Sequence, residues 1–273
     1  MAEQIRAPLN TQLGNEPCTV EDTGDMFWLR ESDDYLSRFH LGNALAKQYR
    51  FREAVQAYQN AARIRTDDWK LFYSMAGTDL TLRHFEVAMA GYRRCLELGA
   101  DRKMVAYPLG IACYLQNDYG RAMDWFTECL PCGDEMAIAV IYWHTLSCLR
   151  AGREATMLKY YHADMKVGHH TAYLLAVSVL CGESSWEQAA SALRQEQDDL
   201  NYVIAMYALC GHLDFCGKKS ESEQCMNLLL EHDEVWPCIA YLAAWNEGRF
   251  QKKIKVLSSD GISKPSTLGI SLI

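Results

Sequence analysis

Three segments of the chain lie over one another without a gap, and their spacing restricts the fold more than any other property of the sequence. "LGNALAKQYRFREAVQAYQNAARI" from Leu41, "MAGTDLTLRHFEVAMAGYRRCLEL" from Met75 and "LGIACYLQNDYGRAMDWFTECLPC" from Leu109 begin 34 residues apart. Each holds two amphipathic helical patterns separated by a short break. Matching positions carry Gly42, Ala76 and Gly110; Phe51, Phe85 and Tyr119; Ala54, Ala88 and Ala122; Tyr58, Tyr92 and Phe126; Ala61, Cys95 and Cys129. Small residues stand where two helices must approach closely, and large ones where the space between them must be filled. A hairpin of this size cannot bury its own apolar face, so it must stack on a neighbour.

These small-aromatic-small-aromatic-small columns resemble the tetratricopeptide repeat. The resemblance implies an all-α fold, a right-handed superhelical solenoid of about seven stacked helix-turn-helix hairpins. Looser copies follow near residues 137–164, 170–197, 203–231 and 234–259. In the fifth, Val177, Trp186, Ala189 and Leu193 fill successive columns; the sixth has Cys210, Ser222, Met226 and Leu229; the seventh has Gly248 at the turn and Phe250 after it. The fourth fits worst, because "REATMLKYYHADMKVGHH" beyond Gly152 has no clean small column. The expected organisation is an N-terminal extension over 1–34, repeats over 35–68, 69–102, 103–136, 137–169, 170–202, 203–233 and 234–259, and a tail over 260–273.

In this family the first helix of each hairpin lines a concave groove. The fifth place of that helix gives Phe39, Tyr73, Tyr107, Tyr142, Leu174 and Tyr207, and neighbouring places add Asn43, Lys70, Ile111, Tyr114, Ser178, Ile204 and Asp214. Tyrosines of this kind offer a flat apolar face with one hydroxyl, suited to an extended peptide or a helix. The expected function is therefore a non-enzymatic adaptor, scaffold or chaperone-like protein with a protein or peptide partner. Against this stands a tightly wound superhelix in which the same tyrosines are core. A further alternative places the chain's own Met26, Phe27 and Trp28, or a tail ending in Leu272 and Ile273, in the groove. Some family members capture a C-terminal carboxylate through Lys, Asn and Arg at fixed groove places. Asn43 fits that pattern, but Phe39 and Tyr73 replace the helpful polar groups. A homodimer is the rival expectation, because Trp236, Tyr241 and Trp245 fall in the last hairpin, whose outer end must be polar or covered.

A formal charge of −8 leaves no basic surplus for nucleic acid or an anionic membrane surface. The longest apolar run, Thr171 to Cys181, is too short for membrane insertion, and the opening residues lack a secretory pattern, so the expected location is cytoplasmic. The 11 cysteines then read as reduced, small apolar side chains.

No phosphate loop, zinc-protease helix or nucleophile elbow occurs in the sequence, and no catalytic residue or cofactor is expected. "CLPC", Cys129 to Cys132, has redox-motif spacing but falls at a helix C-terminus, whereas thiol activation favours an N-terminus. His162, His169 and His170, with Cys181 downstream, do not fall on one helix face, and they read as a solvated loop rather than a metal site. The pairs Asp33/Asp34, Asp67/Asp68 and Asp198/Asp199 read as helix starts.

Overall fold

The computed structural model describes residues 33–193 and 195–258; all but the last two residues of the expected extension and the whole expected tail, with the candidate groove occupants they carry, lie outside them. Among the described residues there are twelve α-helices, two short 3₁₀ helices and no strand. The α-helices are α1 Tyr35–Lys47, α2 Phe51–Ile64, α3 Trp69–Thr81, α4 Phe85–Glu97, α5 Arg102–Leu115, α6 Tyr119–Glu128, α7 Asp134–Ala151, α8 Thr171–Leu180, α9 Trp186–Leu193, α10 Asp199–Phe215, α11 Lys219–Leu229 and α12 Ile239–Ser258. None is long and apolar enough to cross a membrane.

Aspartates start four of the first helices. The carboxylates of Asp34, Asp68, Asp101 and Asp198 accept the backbone N–H of Ser37, Lys70, Lys103 and Asn201 and so cap α1, α3, α5 and α10. Each satisfies an N–H that has no partner within the helix.

The first helices stop by a shared backbone device. Tyr49, Arg83 and Asn117 adopt left-handed φ values of 61°, 65° and 61°, and Gly152, Gly182 and Gly217 follow suit in the later repeats. At each, the next residue's N–H returns to a carbonyl five residues back, as Arg50 does to Leu45, His84 to Asp79 and Asp118 to Cys113. This closes the helix end and turns the chain into the second helix. The 34-residue period is thus written in the backbone as well as in the side chains.

The small columns set the distance between paired helices. A Cβ at Gly42 would lie 2.3 Å from the Tyr58 ring, and one at Gly110 would lie 2.5 Å from Phe126. The second repeat makes the same close approach with the glycine on the opposite helix: Ala76 holds the column, and a Cβ on Gly91 would come within 2.9 Å of it. Paired helices α1/α2, α3/α4, α5/α6 and α10/α11 pack on this basis, and the first helices touch in succession to form an inner row.

Two expected hairpins differ. After α7 the chain forms only a 3₁₀ turn, Thr156–Tyr160, and no second helix. With no small column to admit a helix, Met157, Met165 and Val167 plug the site as separate buried side chains. A cavity of about 420 Å³ opens there, bordered by Thr127, Leu130, Cys132, Met157 and Tyr160. In the seventh repeat Gly248 is not a turn: α12 runs through it as one helix, because the alanine-rich run before it propagates without a stop signal.

α12 packs against α5, α10 and α11, so the last helix lies across the inner row. Trp236 packs edge-on to Phe51 of the first repeat at 5.6 Å, and Trp245 stacks under the Arg83 guanidinium at 3.9 Å. The Asn246 amide donates to the Leu115 carbonyl at 2.6 Å.

Gly42→Ala is expected to lower unfolding free energy by about 2 kcal/mol through overpacking, whereas Gly120→Ala, with nothing nearer than 4.0 Å, should raise it slightly. Urea melts of both variants check this. His144, 3% exposed on α7, has its pKa lowered by burial to about 4. Its contribution is complete above the ordinary histidine pKa and is lost as pH falls from about 6.5 toward 4, by at most about 3 kcal/mol. Melts across that range should show the loss, and His144→Leu should flatten the slope.

Candidate binding face

The inner row places Phe39, Tyr73 and Tyr107 at one position of three successive first helices, all partly exposed. Each leans on the aromatic of its own second helix: Phe39 on Tyr58 at 6.1 Å, Tyr73 on Tyr92 at 5.6 Å and Tyr107 on Phe126 at 6.0 Å. Pinned from beneath, these rings have little rotamer freedom to lose on contact. Burial raises the hydroxyl pKa of Tyr73, with the nearby Cys95 thiol adding to it, so the ring enters any contact as the neutral phenol.

Two polar residues flank this strip. Asn43 accepts the Tyr58 hydroxyl at 2.9 Å, so the group it can present to a ligand is its NH₂. Lys70 is exposed at the start of α3, with its Nζ 5.9 Å from the Trp69 ring. Leu174 is partly exposed on α8.

Six other expected groove residues are interior, Ser178 at 8% and Ile204 at 5% exposure among them. Ile111 is 0% exposed, Tyr114 2%, Tyr142 0% and Tyr207 0%. The reason is the winding of the inner row: it curls until α5 of the third repeat meets α10 of the sixth, with the Tyr114 and Tyr207 hydroxyls 2.8 Å apart. Tyr142 donates its hydroxyl to the Ile204 carbonyl at 2.7 Å, and Tyr207 donates to Glu247 of α12 at 2.6 Å. These tyrosines are core side chains with satisfied hydroxyls, which corrects their assignment to an open groove. Trp236, Tyr241 and Trp245 are likewise buried within the chain, so they offer no surface for a second copy.

A half-buried charge cluster completes the closure. Arg150, at the end of α7, gives one guanidinium nitrogen to Asp214 and another to Glu247, both at 2.7 Å. Burial raises the pKa of Glu247, and the Arg150 charge works against that rise. For Arg150 burial alone would lower the pKa, but Glu247 and the surrounding hydroxyls raise it, so the guanidinium stays charged.

Sequence reasoning missed Arg150, Glu247 and Asn246, and it placed Asp214 in the groove rather than on Arg150. The available signal was "CIAYLAAW", Cys238 to Trp245, which is apolar around the whole helix rather than along one stripe. Such a segment must be covered on more than one side.

Packed helix pairs, an inner row of first helices and a period carried by turns, caps and columns define a tetratricopeptide-like helical-repeat solenoid. The sequence matches no protein-family model and no curated protein. Among solved structures it is similar to YrrB, described as "a TPR protein with an unusual peptide-binding site", with 10% identity and a TM-score of 0.45 over 83% of this chain and 98% of that one.

Tyr207→Phe removes the hydroxyl shared by Tyr114 and Glu247 and is expected to cost about 1–2 kcal/mol in chemical denaturation. Tyr73→Phe, at the open face, should stay within about 0.5 kcal/mol of the parent.

Proposed function

We propose that this protein is a non-enzymatic interaction scaffold that binds a peptide or helix of a partner protein along the first three repeats. The observation that carries the reading is the strip of Phe39, Tyr73 and Tyr107, repeated at the 34-residue spacing, braced from below and partly open to solvent. The ligand would lay apolar side chains on these rings, while Asn43 donates to its backbone and Lys70 favours an acidic group at one end. The closed core behind the third repeat confines binding to the N-terminal half, where the inner row has not yet curled shut.

Thiol chemistry gives the scaffold reading further support. Burial pushes the thiols of Cys95, Cys113 and Cys148 up to about 11 and Cys129 up to about 12, and it raises Cys132 as well, so these thiols are poor nucleophiles at neutral pH. A cytoplasmic setting, with its reduced thiol pool, suits such a protein.

The test is selection of binders from a random peptide library on the intact protein, followed by titration of the enriched peptides. In the Lys70→Ala, Tyr73→Ala variant their affinity should fall by about ten- to a hundredfold with an unchanged thermal melt. Enriched peptides that bind the variant as tightly as the parent would overturn the proposed face.

A further inference from the structure

The missing second helix of the fourth repeat leaves a loop that does something the repeat pattern does not require. From His162 to His170 the chain folds back over the first turn of α7. The Asp134 carboxylate accepts the Lys166 N–H at 2.8 Å. Gly168, at a φ of 55°, lies against the Glu135 carboxylate so closely that a Cβ there would come within 3.0 Å of its Oε1. This folding delivers His169 and His170 to Glu135, far upstream in sequence, with one potential ligand atom from each residue all within 4.8 Å of one another.

We propose that Glu135, His169 and His170 form a binding site for a divalent transition cation, with Zn²⁺ the best match to two imidazoles and one carboxylate. His170 is already set for this role. Its Nδ1 lies 2.7 Å from the Glu135 backbone carbonyl, which can only accept, so Nδ1 carries the proton and Nε2 keeps its lone pair. A ligating histidine that donates its other ring N–H to a backbone carbonyl is the common arrangement around protein-bound metals. Its ring is also held in place by packing edge-on against Tyr173 at 5.3 Å.

His169 stands beside it with ring centroids 4.5 Å apart, and its Nδ1 is 3.2 Å from Glu135 Oε1. Tetrahedral zinc with bonds of about 2.0–2.1 Å spaces its ligands about 3.3 Å apart, so modest side-chain rotations close the set. Those rotations are open to it: the His169 side chain is 81% exposed and that of Glu135 52%. Solvent access leaves the fourth position to water or to a ligand atom from a bound partner.

His162, grouped with these histidines by sequence alone, is not part of the set. Its Nδ1 pairs with Asp164 at 2.7 Å. The structural effect of the metal would be to tie the start of α7 to the start of α8, across the point where the fourth repeat lacks its second helix.

The experiment is calorimetric titration of the full chain with ZnCl₂, in a background where Cys132 and Cys216, the exposed cysteines among the described residues, and Cys18, which lies outside them, are serine so that thiols do not compete, with thermal melts and Co²⁺ absorption spectra in parallel. One Zn²⁺ per chain is expected. His169→Ala and Glu135→Gln should each weaken binding by about tenfold or more and abolish a zinc-induced rise in melting temperature of about 5 °C, while leaving the metal-free melt unchanged. His162→Ala should behave as the parent. The Co²⁺ form should show visible d–d bands without thiolate charge transfer. Zinc binding that is absent at micromolar metal, or that survives both substitutions undiminished, would overturn the proposal.

Discussion

Burying the guanidinium of Arg150 is unfavourable unless carboxylates come to meet it, and the two that do arrive from distant parts of the chain. Asp214 belongs to the sixth repeat and Glu247 to the last helix, and Glu247 in turn takes the Tyr207 hydroxyl, which touches Tyr114 of the third repeat. A pair of this kind is worth little against well-packed hydrophobic residues, yet losing one member strands the other. It therefore specifies where α12 must lie more than it adds to stability. The apolar contacts around it, from Trp236 on Phe51 to Trp245 on Arg83, follow from that placement.

The same closure divides the inner row into two regions with different uses. Behind the third repeat Tyr142 and Tyr207 are interior, hydrogen-bonded and continuous with the core. Ahead of it Phe39 sits at the edge of a separate small cluster built on Tyr35, Leu45 and Tyr58, while Tyr73 and Tyr107 lie partly exposed on the margin of the main core. A surface that must remain available to a ligand and a core that must be filled are thus built from one sequence column, and winding alone decides between them.

Much of this was legible in the sequence because local physics and the repeat agree. Gly42 and Gly110 are small because Tyr58 and Phe126 fill the space a Cβ would need, and Asp34, Asp68 and Asp198 cap helices as their positions before apolar runs suggest. The period itself gave the inner row and the three half-exposed aromatics. What could not be read was set by contacts between repeats far apart. Nothing around Tyr114 or Tyr207 says that their hydroxyls will meet across 93 residues of sequence, and no column marks Asn246 as the donor to Leu115. In the fourth repeat a hairpin is expected despite the poor fit to the columns; the second helix is lost there, and nothing in the sequence marks that the loop will carry two histidines back to Glu135.

An open array of helical hairpins has two ends, and such arrays grow or shrink over evolution by gaining or losing a unit at little cost to the rest. Here the first repeat touches the segment leading into the last helix through Phe51 and Trp236. Duplicating or deleting one 34-residue unit between them would rotate the two partners out of reach and open the core at the same stroke. The contact acts as a counter: Phe51 and Trp236 meet only when the number of units between them is the one this chain has.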